Sequence, residues 1–130
     1  MSGFILAEQG NMEEAIRHYR IVVENNPNFV EARINLAKAY EKAGFYDQAM
    51  AEYEALKKMT TVDKGVIYYC MAGVRSQQKR FNECERYLDF ALQYRFNVFV
   101  YLKLDERFKA FRESPVYTKF MENQEVKRRH

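Results

Sequence analysis

The sequence predicts an all-α fold made of antiparallel helix pairs, and three observations point there. The first is an internal repeat. QGNMEEA at 9–15 recurs as AGFYDQA at 43–49, placing Gly10 over Gly44, Ala15 over Ala49, Ile16 over Met50 and Tyr19 over Tyr53. A period in the thirties marks an architecture in which one small supersecondary unit is stacked repeatedly. The second is composition: 48% of the 130 residues are hydrophobic and 15% aromatic, with only 5 Gly and 2 Pro. That is enough apolar surface for a modest core and too few breakers for a disordered chain. The third is spacing, because apolar residues fall on one helical face in stretch after stretch.

Residues 11–25, NMEEAIRHYRIVVEN, read as a helix with Asn11 as its cap and Glu14 three residues on. Met12, Ala15, Ile16, Tyr19 and Val22/Val23 share a face, and NNPN at 25–28 stops the helix. Residues 29–43 form the next helix and carry Phe29, Ala32, Leu36, Ala39 and Tyr40. Gly44 ends it, since glycine adopts positive φ at a helix C-terminus at little cost. A helix over 46–59 buries Ala49, Met50, Tyr53 and Leu56, and TTVD at 60–63 closes it and caps the following one. Helices over 64–77 and 81–94 come next, joined by QKR without a glycine. Cys84 lies where Ala15 and Ala49 lay, but 35 residues after Ala49, so this unit carries a one-residue slip.

After residue 97 the pieces shorten. A helix over 98–103 is expected, then a second from Asp105 to about Arg112, then a third opened by Ser114 as cap and Pro115 at the first helical position. VFVYL at 98–102 alone resembles a strand but has no second strand to pair with. The tail from Asn123 is expected to fray.

No stretch reaches transmembrane length, and MSGFILAEQGNMEEA lacks the basic region of a signal peptide. Two cysteines, Cys70 and Cys84, do not make a disulfide framework. A cytoplasmic setting is the simpler expectation, with a periplasmic mature fragment as the alternative. The net charge of +3 divides unevenly. Residues 1–60 hold 7 basic and 9 acidic side chains, and residues 61–130 hold 14 and 9. The basic second half, ending in VKRRH, leaves nucleic-acid binding as a weaker reading beside a solvated terminus.

NPNFVEARINLAKAYEKAGFYDQAMAEYEALKKM resembles the tetratricopeptide repeat, with Leu36, Ala37, Tyr40, Gly44, Tyr46, Ala49, Tyr53 and Leu56 at the signature positions. The preceding unit keeps Gly10, Ala15, Tyr19 and Pro27, but only residues 2–9 remain for its first helix. The following unit has Cys70, Met71, Val74, Phe81, Cys84, Leu88 and Ala91. Asp105, Phe108, Arg112, Pro115 and Phe120 resemble the closing segment of some arrays of this family. The resemblance implies one domain over 1–122, with units at about 1–28, 29–62 and 63–96, closing helices at 97–122 and a flexible basic tail at 123–130. It also implies a TPR-like right-handed solenoid with a concave, protein-binding groove.

The resemblance further implies that the first helix of each repeat lines that groove. The candidates are Asn35, Lys38 and Lys42 in the second unit, and Tyr68, Tyr69, Ala72, Arg75 and Ser76 in the third. Asn35 offers both a donor and an acceptor to an extended peptide backbone. The three cations suit acidic groups, and the tyrosines suit an apolar side chain. A subgroup of the family grips chaperone C-termini with further polar groups. Here those positions are truncated, or hold Phe4, Gly65, Val66 and a tyrosine, so that role is not expected.

No catalytic or metal-binding constellation is expected. His18 lies off the apolar stripe, His130 is terminal, and Cys70 and Cys84 have no third or fourth ligand. Glu13/Glu14, Glu52/Glu54 and Glu83/Glu85 recur on polar helix faces. The glycines form no phosphate-binding loop, so no cofactor is expected. The expected function is a non-enzymatic protein-recognition scaffold. The alternative is a self-associating assembly subunit that pairs through its N-terminal end, where Phe4, Ile5 and Leu6 either cover repeat one or leave it open to a second copy.

Overall fold

The computed structural model describes the backbone of residues 2–129 and the side chains of residues 11–127. It is all-α, and the chain divides into two compact units, residues 1–62 and 63–130. Among the described residues, no helix is long and apolar enough to cross a membrane.

Unit 1 holds α1 (Ser2–Asn25), α2 (Val30–Lys42) and α3 (Tyr46–Lys57), each antiparallel to the one before. α1 corrects an expectation: residues 2–9 do not fold back as a separate helix, and Asn11 is not a cap, because the helix continues through Gly10. An eight-residue helix is marginal alone, and a break would expose unsatisfied backbone groups at two extra ends. One internal glycine costs only about 1 kcal/mol. α1 packs on α2 through Ile16, Val23, Ala32, Leu36 and Ala39, flanked by Met12, Tyr19, Val22 and Tyr40.

The α2–α3 hairpin is tight because Ala37 and Ala49 are small and wholly buried. Tyr53, also wholly buried, donates its hydroxyl to the Glu41 carboxylate, giving that buried acid a partner. Arg33 Nη1 reaches Glu52 Oε1 at 2.9 Å, and its Nη2 donates to the Pro27 carbonyl at 3.0 Å. These bonds tie α3 and the entry turn to α2. Gly44 sits at φ +83°, as the sequence requires of the turn.

Unit 2 begins at Asp63, whose side chain accepts from the Gly65 and Val66 amides at 2.9 and 3.4 Å and so caps α4 (Lys64–Gln77). α5 (Phe81–Gln93) packs against it, followed by α6 (Val98–Leu102), a 3-10 turn (Glu106–Phe108), α7 (Lys109–Arg112) and α8 (Pro115–Arg129). α8 extends through residues expected to be a flexible tail. Between Pro115 and Arg129 it contains no further glycine or proline, and Met, Glu, Gln and Lys favour helix. Ser114 caps it, accepting from the Tyr117 amide at 3.4 Å. The core of this unit is Tyr69, Ala72, Cys84, Leu88, Ala91, Val98, Leu102, Phe108, Phe111 and Phe120. α4 is therefore covered by α5 on one side and by the 3-10 turn and α7 on another. The approach is close: a methyl on Gly65 would lie 2.8 Å from Phe96 Cβ, and one on Gly73 would lie 3.2 Å from the Arg107 side chain.

Candidate functional site

In unit 1 the spacing of Asn35, Lys38 and Lys42 puts all three on one face of α2. Asn35 is half-buried, and Lys38 and Lys42 are exposed. None of the three makes a side-chain hydrogen bond or ion pair with another described residue. The face therefore presents one carboxamide and two ammonium groups with their hydrogen-bonding capacity unspent inside the fold.

The five candidates in unit 2 separate. Tyr68 is half-buried and lies between two other tyrosines of α5's side of the hairpin, stacked on Tyr87 (centroids 6.2 Å apart, planes at 26°) and on Tyr94 (5.6 Å, 27°). Phe90 packs at 5.2 Å from the same ring. Arg75 is spent internally: its Nε lies 2.9 Å from Glu83 Oε2, and its Nη1 donates to Gln78 Oε1 at 2.6 Å.

Tyr69, Ala72 and Ser76 are corrections to the expected surface, because all three are buried. Tyr69 and Ala72 belong to the unit's core, and Ser76 is wholly inaccessible, with no hydrogen-bond partner for its hydroxyl. At Tyr69 and Ala72 the physical reason is that residues of the later segment, Val98, Leu102, Phe108 and Phe111, pack with them in one core.

That segment brings a polar network the sequence reading missed. The Tyr69 hydroxyl donates to Asp105 Oδ2 at 2.8 Å. Arg107 donates to the same carboxylate from Nη2 at 2.9 Å and from Nε at 3.2 Å, while its guanidinium lies over the Tyr69 ring at 5.4 Å. Burial by itself would raise the Asp105 pKa. The hydrogen bond and charge of Arg107 and the Tyr69 hydroxyl outweigh it and hold the carboxyl below its usual value. Burial and the Asp105 contact push the Tyr69 phenol far up, so it stays a donor. The one available signal was the Asp-x-Arg spacing of 105 and 107, which lets an N-cap carboxylate also meet a cation.

Burial also pushes the Cys84 thiol up, away from the low pKa of a nucleophilic cysteine. Among the described residues, no group of three or more His, Cys, Asp or Glu side chains is placed to hold a metal ion.

Residues 6–64 match the family model described as Tetratricopeptide repeat. This range takes in α1 from residue 6, α2 and α3. No curated protein matches the chain significantly. No solved structure does so either.

Proposed function

We propose that the chain is a non-enzymatic scaffold that recognises a protein or peptide segment through the exposed polar face of α2. The observation carrying this reading is the conjunction of Asn35, Lys38 and Lys42 on one face, none of them engaged within the fold. It lies inside the stretch that matches the tetratricopeptide repeat. Asn35 holds the backbone of an extended segment, and the two lysines meet its carboxylates. The repeat is proposed to continue into α4–α5, with α6–α8 as the closing segment. In that part Tyr68 is the remaining candidate with an accessible ring.

The test is a pull-down with the wild-type chain beside the Asn35→Ala/Lys38→Ala variant. One protein captured by the wild type and lost from the variant supports recognition through α2. Capture by both moves recognition to another face.

Self-association is a second reading, favoured by α1. Its outward face carries Glu13, Arg17, Arg20 and Glu24 around Ile21, lining a shallow groove over the buried Ile16, and Ile21 is 53% exposed. Such a face offers both signs of charge and an apolar centre to a second copy. Light scattering at high concentration tests it: a dimer lost in Ile21→Glu supports the reading, and a monomer throughout removes it.

A further inference from the structure

The closing segment of unit 2 encloses a cleft separate from the α2 face. α6, α7 and α8 line an open hollow of about 880 Å³, within the range of roughly 300–1,000 Å³ in which proteins hold ligands. Its apolar floor is Phe99, Tyr117 and Met121. Phe99 stacks on the buried Phe120 at 6.1 Å, and Tyr117 packs edge-on against Phe111 at 5.6 Å, so the floor is fixed to the core.

The charges around this floor are ordered. Arg112 Nη1 donates to the carbonyls of Leu102 and Asp105, both at 2.8 Å, which anchors the guanidinium next to Lys103. Glu122 and Glu125 come from α8. Lys103, Arg112 and Glu122 line one cleft, yet none of them forms an ion pair with a described side chain. The anchored Arg112 and the exposed Lys103 come from the α6–α7 side and Glu122 from α8, and the apolar residues Phe99, Tyr117 and Met121 line the same cleft.

We infer that this cleft binds an amphipathic peptide segment with an apolar side chain at its centre, an acidic residue on one side and a basic residue on the other. The apolar residue rests on Phe99, Tyr117 and Met121, where the thioether adapts to its shape. The acidic residue meets Lys103 and Arg112, and the basic residue meets Glu122. A ligand of one sign, whether a phosphate or a polybasic tail, meets like charge at one wall. Such mismatches reject wrong partners.

Three short capped peptides with the same Leu-Leu centre test the inference, flanked by Glu and Lys, by two Glu, or by two Lys. Each is titrated into the isotope-labelled full chain while amide shifts are followed by NMR. The Glu/Lys peptide is expected to shift the amides of Phe99, Lys103, Tyr117 and Met121, and to bind at least about threefold tighter than the other two, as fits exposed ion pairs. Lys103 and Glu122 are both exposed, so their reversals leave the fold intact. Lys103→Glu should move the preference to the two-Lys peptide, and Glu122→Lys to the two-Glu peptide. Asn35→Ala/Lys38→Ala should leave all three titrations unchanged, which separates this cleft from the α2 reading. No localised shift at millimolar peptide, equal affinity for all three peptides, or preferences that ignore the reversals would each overturn the inference.

Discussion

After α2 the chain turns through Gly44 at φ +83°, and after α4 it turns through Lys79 at φ +61°. The hydrogen bonding is the same in both places. Gly44 N donates to Glu41 O at 3.0 Å and Phe45 N to Tyr40 O at 2.8 Å, while Lys79 N donates to Ser76 O at 2.9 Å and Arg80 N to Arg75 O at 2.8 Å. Both are left-handed helix caps of the kind glycine favours. Lysine holds this conformation against a cost of roughly 1–2 kcal/mol. Unit 2 repeats the arrangement after α5, where Arg95 sits at φ +66° and Phe96 N donates to Ala91 O at 3.0 Å. The difference teaches that the turn's shape belongs to the hairpin and the glycine only lowers its cost. At Lys79 and Arg95 a charged residue is held in the same geometry.

The sharpest way to break this comparison is to weaken the core that holds the strained turns. Leu88 is wholly buried in unit 2. Leu88→Ala should destabilise that unit by about 3 kcal/mol, measured by urea unfolding. The corresponding change in unit 1 removes a hydroxyl instead of volume. Tyr53→Phe takes a donor from the buried Glu41 and should cost about 2 kcal/mol, read in the same assay.

Asp105 tests whether the segment after α5 adds to the support of α4. Asp105→Asn should cost about 2 kcal/mol at neutral pH, as for a hydrogen bond to a charged group. The sign with pH follows from its lowered pKa. An acid held lower in the folded than in the unfolded chain stabilises fully above the unfolded value, about 3.9. That contribution is lost as pH falls through the folded value. Stability curves of wild type and Asp105→Asn should therefore converge below about pH 4. Curves that stay parallel there would remove the carboxylate from the account.

The smallest effects come from the turn residues themselves. Lys79→Gly should stabilise by up to about 1 kcal/mol, and Gly44→Ala should destabilise by a similar amount. Thermal midpoints moving in opposite directions would support the comparison. Two shifts of the same sign would count against it.

Much of this fold was legible because the signals were local. Asp63 before an apolar run marked the start of α4, Ser114–Pro115 opened α8, and Gly44 ended α2. Gly10 misled because glycine marks a turn only when both flanking helices can bury a face, and eight residues upstream were too few. That Asn35, Lys38 and Lys42 share one face of α2 follows from helical spacing, while their choice as a partner-binding set came from the resemblance to the tetratricopeptide repeat. The α4 candidates were not readable from spacing, because Tyr69 and Ala72 pack in one core with a segment some thirty residues later. No periodicity in α4 carries that information.

Both cysteines of the chain, Cys70 and Cys84, lie in unit 2, and both thiols are buried. Cys84, part of the unit 2 core, is sealed against reagents while that core stays packed. An alkylating dye can then act as a stopwatch for one half of the molecule: its uptake at Cys84 times the opening of the unit 2 core, while unit 1, which has no thiol, is silent.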